Sequence, residues 1–303
     1  MWFSRVTWLL VVFGIILTGF VAWYESEHQA HTPGYSSLLP TVALVGVGIA
    51  EIAKQVREST KSKGRLSGQD FLEKYTTLLT NAIEALQDVH TYNEAQLLQT
   101  QTKILKLIAS VVVLFHPEAV GLGINANLML DEDVATHSAQ DRFNDYVHFG
   151  DPKRTASSYA SVLCIRAWAE APQVAPHNFA LPVDTDPSRV LFGAPLTFVS
   201  GRKIVITNIH KENEVNKMLH GQPDVVRDAV HAFFARQKYK TFMSIVVKNS
   251  DKNIAVLNLQ ADQLRVFGNQ TRQAEIEKFI DPFCSILGII TAQTLQPRPA
   301  PGP

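Results

Sequence analysis

The stretch Tyr239–Phe267, YKTFMSIVVKNSDKNIAVLNLQADQLRVF, constrains the fold more than any other. Two apolar runs, Phe242–Lys248 and Ile254–Gln260, flank the polar turn Asn249-Ser250-Asp251-Lys252-Asn253. Runs rich in β-branched and aromatic residues on either side of such a turn specify a β-hairpin. The segment from Thr271 to about Thr294 then has helical character. The hairpin therefore belongs to an antiparallel sheet that helices cover.

The elements upstream complete that arrangement. From Gln69 to Phe115 no proline occurs, and Phe71, Leu72, Tyr75, Leu78, Leu79, Ala82, Ile83, Leu86 and Val89 recur at helical spacing. Residues 90–96 break the pattern, so two helices or a bent one are expected, the second from about Glu94 to Phe115. The apolar stripe of the first needs a partner. That partner is a second copy of the chain in a parallel dimer, or the chain's own globular domain. Pro117 stops the helix. Val120–Leu130 and Ser158–Ala169 read as strands, with a long polar loop, or a loop with a short helix, over 131–157 between them. Residues 170–190, with four prolines, read as irregular. Leu191–Val199 reads as a short helix interrupted at Pro195, Ile204–Ile209 as a third strand and Pro223–Gln237 as a helix. The fold class is α+β. The first and last helices pack on one face of the sheet, and the segments between the second and fourth strands cover the other and enclose a pocket.

The N-terminus has a different character. No charge occurs from Val6 to Tyr24, a length that spans a bilayer, and Trp8, Trp23 and Tyr24 stand near its ends. A polar loop follows, then a second apolar run, Leu38–Ala53, in which Gly46 and Ala50 permit close helix packing. Lys54, Arg57, Lys61, Lys63 and Arg65 follow the second run, and Glu25 and Glu27 occupy the loop. The positive-inside rule then places both termini in the cytoplasm of a multi-pass inner-membrane protein. A signal peptide is the competing reading, but the apolar core is too long and a second run comes soon after. The chain thus divides into a transmembrane hairpin (1–53), a basic and helical connector (54–93), a globular domain (94–295) and a proline-rich tail (296–303) expected to be disordered.

Composition narrows the chemistry. Lysine plus arginine and aspartate plus glutamate are 28 each, so no broad basic field recruits nucleic acid. The two cysteines, Cys164 and Cys284, lie in apolar runs and read as buried reduced thiols. The scattered histidines form no His-Glu-x-x-His motif or Cys/His cluster. Asp131-Glu132-Asp133 lacks the spacing of a calcium loop. No phosphate-binding glycine loop or nucleophile elbow is present. The chain reads as non-enzymatic, with no metal, and its composition names no cofactor.

Three stretches resemble the GAF domain family: Phe192–Thr207 (FGAPLTFVSGRKIVIT), Phe242–Val247, and Lys252–Leu259 (KNIAVLNL) followed by Phe267. A PAS-like or cache-like fold is the alternative. The resemblance covers about Glu94–Leu295 and implies a small-molecule sensor domain. The cyclic-nucleotide signature of phosphodiesterases and the phytochrome chromophore cysteine are absent, so the family names no ligand. Pocket residues are sought among polar groups on strands and covering segments. Those are Arg166, Thr207, Asn208, Ser244 and Asn258, with Arg189 and Arg227 placed to close over an anion. Arg166 reads equally as a solvent-facing charge. The resulting expectation is a membrane-anchored cytoplasmic sensor. It binds a small ligand, a nucleotide being one class, and signals through its flanking helices. One alternative is a ligand-activated effector that perturbs the membrane, similar in layout to two-span effectors of bacterial cyclic-nucleotide defence systems. The other is a dimerisation and anchor module with an empty pocket. The expected partners are the lipid bilayer, the ligand and a second copy of the chain.

Overall fold

The structure, a computed structural model, describes residues 68–87, 89–117, 119, 121–134, 148–151, 153–171 and 179–295. Both apolar N-terminal runs, the basic segment after them and the proline-rich tail lie outside these residues. The chain divides into two compact units, Met1–Thr76 and Thr77–Pro303. The boundary falls within helix α1, Gly68–Glu84. In the first unit, Phe71 and Tyr75 stand one helical turn apart, with stacked rings 6.4 Å between centroids.

In the second unit α2 spans Glu94–Leu114. Its start explains the break in helical spacing over 90–96. Asn93 is the N-cap, and its Oδ1 accepts from the Gln96 N–H at 2.9 Å. The Gln96 Oε1 in turn accepts from the Asn93 N–H at 2.8 Å. This reciprocal capping box satisfies two backbone donors that a helix start otherwise leaves open. By length and composition α2 is the one described helix apolar enough to cross a membrane. Within its own unit it packs against strand and helix: Leu97, Ile104, Leu105 and Ile108 are buried.

The sheet holds β1 (Ile124–Glu132), β2 (Tyr159–Trp168), β3 (Ala180–Asp184), β4 (Ile204–Ile206), β5 (Thr241–Asn249) and β6 (Lys252–Ala261). Their spatial order is β3-β2-β1-β6-β5-β4, and every neighbouring pair is antiparallel. Strand alternation divides the side chains between two faces. Ala126, Leu128 and Leu130 of β1 point one way, towards α2, and the last helix α6 (Gln270–Leu295) packs on β5 and β6. Asn125, Asn127 and Met129 point the other way. On that side lie α3 (Ala194–Ser200), α4 (Glu212–Met218) and α5 (Asp224–Ala235). Met129, Leu163, Val256 and Phe242 of the sheet join Leu191, Phe192, Val226, Val230 and Phe234 in one buried cluster. The layering expected from the sequence, first and last helices on one face and the intervening segments on the other, is the layering observed. It is also the arrangement that the GAF resemblance implies.

Four expectations need correction. Residues 180–184, assigned to an irregular stretch, form β3. It is an edge strand, so Pro182 lacks no ladder partner on its outer side, and the proline is tolerated there. Pro195 opens α3 instead of interrupting a helix, because a first-turn position has no intrahelical acceptor for its missing N–H. The preceding Gly193 turns at φ +83°, where a side chain is strained. Helix α4 went unseen, since ENEVNKM buries only Val215. Finally, β1 starts at Ile124 and β4 ends at Ile206, so both are displaced from the runs read as strands.

Candidate functional site

Between the sheet and the α3–α5 side lies a cleft of about 680 Å³. That volume is within the range of small-molecule sites. Its floor is the face of β1, β2, β5 and β6 opposite α2 and α6. Its wall comes from the start of α3, from α5, and from Phe149 and Phe179.

The floor carries a polar ladder set in an apolar surface. Asn127 of β1 lies directly opposite Asn258 of β6, and Asn258 directly opposite Ser244 of β5. The Ser244 hydroxyl donates to the Asn258 Oδ1 at 2.6 Å. The Asn258 Nδ2 donates to the Asn127 Oδ1 at 2.9 Å. Ser244 is fully buried, and Asn127 and Asn258 are 2% and 8% exposed. Three adjacent strands are therefore joined by side chains as well as by backbone. The ladder ends at the Asn127 Nδ2, which has no partner among the described residues and lines the cleft. Two residues along β6, Gln260 presents a second amide on the same face.

The wall is aromatic. Phe149 and Phe179 each stand 5.3 Å from Phe233 between ring centroids. Phe192, Phe234 and Phe242 continue the row at spacings of 6.0–6.4 Å. Phe149 itself holds φ +64°, in the left-handed region that a bulky residue rarely occupies. The charged lining residues are Glu170, just after β2, Asp262, just after β6, and Arg236 and Lys238, just before β5. All four gather at one end of the sheet, around the backbone bond from the Lys240 N–H to the Ala261 carbonyl. Tyr239 stands beside them, and burial raises its phenol above its ordinary pKa, so it is a neutral hydroxyl.

Of the seven residues picked from the sequence, Ser244 and Asn258 meet on the cleft floor. The other five do not reach it. Arg166 is the extra residue where Met129 pairs with Ile165 and Leu128 with Ala167, and its side chain turns away from the cleft to pair with Glu94 of α2 at 2.6 Å. Thr207 and Asn208 lie past the end of β4. The Thr207 hydroxyl donates to Glu214 at 2.9 Å, and the Asn208 Oδ1 accepts from the His210 N–H at 3.0 Å. Arg189 pairs with Asp186 and borders a separate cavity of about 20 Å³, no larger than a water. Arg227 pairs with Asp224 on the exposed side of α5. Sequence reading missed Asn127, Gln260 and the phenylalanine row. The signal for Asn127 is its register opposite Asn258, which requires the pairing of strands far apart in sequence.

The cysteines are inert thiols. Cys284 is buried, and Cys164 is half-buried beside Glu132. Burial, reinforced by the Glu132 carboxylate, pushes the Cys164 pKa up to about 12. The folded state therefore holds this proton more tightly than the unfolded chain does. Its contribution to stability is complete below the unfolded-state value near 9 and is lost as pH rises through about 12. Denaturation monitored from pH 8 to 11 should show stability falling with pH, and Cys164→Ala should flatten that slope. An unchanged slope would mean that the thiol ionises freely in the fold. Among the described residues no group of three or more His, Cys, Asp or Glu side chains is placed to hold a metal ion.

No family model and no curated protein sequence matches the chain. Among solved structures, the chain is similar to the nlh2 GAF domain of A. aeolicus in an inactive state, at 11% identity and a TM-score of 0.39. That alignment covers 73% of this chain and 96% of the other. The fRMsr of Staphylococcus aureus, in complex with its substrate, aligns at 12% identity and a TM-score of 0.34, over 70% and 95% of the two chains. A GAF domain region from Geobacter sulfurreducens aligns at 13% identity and a TM-score of 0.31, over 65% and 96%. Each likeness is distant.

Proposed function

We propose that the second unit is a small-molecule-binding sensory module whose ligand occupies the cleft. One observation carries this reading. The Asn127 amide ends a ladder of side-chain hydrogen bonds and has a donor that faces the cleft with no acceptor among the described residues. An acceptor on a ligand in the cleft would complete the ladder at this donor. The strained backbone at Phe149 fits the same reading, since such strain gathers at ligand clamps.

Occupancy would be felt on the other face through β1 and β6, which carry Asn127 and Asn258 on one side and pack against α2 and α6 on the other. The apolar runs 6–24 and 38–53 would tether the module to a bilayer. The test is thermal unfolding of the full-length chain with a panel of nucleosides, cyclic nucleotides, amino acids and heterocyclic cofactors. A ligand at a hundred times its Kd stabilises by about 2.7 kcal/mol. For a domain of this size that raises the melting temperature by roughly 5–10 °C. Asn127→Leu should abolish the rise, while hydrogen exchange in α2 and α6 should slow only in the unsubstituted protein. If no compound shifts the transition, the module is not a sensor of small molecules of these classes.

A further inference from the structure

Helices α2 and α6 pack on each other behind the sheet and run antiparallel. Phe115, just after α2, meets Phe279 near the start of α6 with ring centroids 5.2 Å apart, and Gln101 meets Thr291 near its end. We propose that the Gln101–Thr291 pair is the register lock of these two helices. It holds α2 at one axial offset along α6, and without it a second offset, one helical turn away, becomes populated.

The seam is otherwise repetitive. Leu97, Gln101, Ile104, Ile108, Val111 and Phe115 recur at alternating spacings of four and three, and each is buried. Ile276, Ile280, Phe283 and Leu287 repeat that spacing on α6 and are fully buried. This is the pattern of a knobs-into-holes seam, in which a shift by one turn replaces each apolar neighbour by another. Swaps among apolar side chains of like volume cost little. One polar residue in such a seam removes the degeneracy, because only one offset gives it a partner.

Gln101 is that residue. Both it and Thr291 are fully buried, and the Gln101 Nε2 donates to the Thr291 hydroxyl at 3.2 Å. Helix α6 is held against β5 at Gly288, beside the Lys248 carbonyl, so α2 is the member that moves. A slip of one turn towards the start of α6 sets the Gln101 amide against Leu287, and its hydrogen bond is lost in an apolar surround. A slip the other way carries Leu97 past Leu295, where α6 ends. Gln101 therefore closes the one direction that the helix ends leave open.

The polar contact at the other end of the seam does not choose between offsets. There the Arg272 guanidinium lies over the Phe115 ring, 5.2 Å from its centroid, and donates to the Phe115 carbonyl at 2.7 Å. Arginine is long, and the last carbonyls of a helix are open, so it finds an acceptor at either offset. Nor is the lock a source of stability. The Gln101 Oε1 is buried with no donor among the described residues. A methionine has the same length and leaves no such atom unpaired.

The test measures the offset directly. Spin labels are placed at Lys103→Cys of α2 and Lys278→Cys of α6, both exposed, in the full-length chain carrying Cys164→Ala; Cys284 is buried and takes no label. Double electron–electron resonance should give a single distance. Gln101→Met, and separately Thr291→Val, should each add a second distance, shorter by several ångströms, since one turn is about 5.4 Å of rise. Exchanging the pair, Gln101→Thr with Thr291→Gln, should restore the single distance. Ile104→Leu, a change of shape without polarity, should keep it. In urea, the folding equilibrium constant of Gln101→Met should stay within about tenfold of the unsubstituted protein's or exceed it. One unchanged distance in both Gln101→Met and Thr291→Val would overturn the proposal. So would a second distance in Ile104→Leu, which would mean that any disturbance loosens the seam. A loss of more than tenfold in the folding equilibrium of Gln101→Met would make the pair a source of stability and not a lock.

Discussion

Gly288→Ala lowers the melting temperature by roughly 5–10 °C, the shift expected when overpacking costs up to about 3 kcal/mol in a domain of this size. Gly288 lies in the last turns of α6, where that helix crosses β5. A Cβ at this position would stand 2.1 Å from the carbonyl oxygen of Lys248 and 3.2 Å from its carbonyl carbon. Both atoms are backbone, so no side chain can rotate away. Lys248 also sits at the irregularity between β5 and β6, where the register shifts between Val247 and Lys248. To admit a methyl group, either α6 moves off the sheet or the hairpin bends. Both loosen Ile286, Leu287 and Ile290, which are fully or almost fully buried around it. Ser285→Ala, one turn earlier and half-buried, is the control, and it should leave the transition within about 0.5 kcal/mol of the unsubstituted protein. Thermal unfolding followed by circular dichroism reads both. Equal melting temperatures for the two variants would show that α6 does not need this close approach.

Asn258→Leu should destabilise the domain by about 3 kcal/mol, although leucine shares the branched shape of asparagine. The substitution strands two groups at once: the Ser244 hydroxyl loses its acceptor and the Asn127 carbonyl loses its donor. Each is buried, and each unpaired group costs about 1–3 kcal/mol. The combined variant Asn127→Leu, Ser244→Ala, Asn258→Leu should recover most of that loss, because no polar group then remains unpaired. The comparison is a strong case of non-additivity between touching residues. Urea denaturation of the single and triple variants measures it. A triple variant less stable than the single one would mean that the three side chains contribute separately and form no unit.

The sequence exposes these two features unequally. The hairpin of β5 and β6 is legible because its apolar runs and polar turn are local, and helices α2 and α6 because their spacing persists over many turns. Ser244 and Asn258 stand out as polar residues inside apolar runs. Asn127 does not, because in VGLGINANLML two asparagines alternate with apolar residues, and only strand pairing shows that Asn127 faces Asn258. The arginines mislead for a related reason. A positive charge in a strand suggests an anion, but one residue of register decides the face, and Arg166 falls beside α2 while Ile165 lines the cleft. Strand β3 was hidden by its proline, since the sequence does not reveal that the strand lies at an edge. The phenylalanine row gathers Phe149, Phe179, Phe192, Phe233 and Phe242 from separate segments, and no local pattern connects them.

The strand order has a consequence for how the domain is made. Its two central strands, β1 and β6, are the first and last strands in sequence, and Asn127 and Asn258 bond across a separation of 131 residues. The middle of the sheet therefore cannot close until almost the whole chain is available. During synthesis β1, β2 and β3 leave the ribosome without the neighbour that completes them, and β1 waits with one edge open. Such long-range pairing makes folding slow and leaves strand edges exposed to other nascent chains. A chain arrested before residue 261 should collapse without forming the sheet, and release of the final segment should complete β1, β6 and the helix behind them in one step.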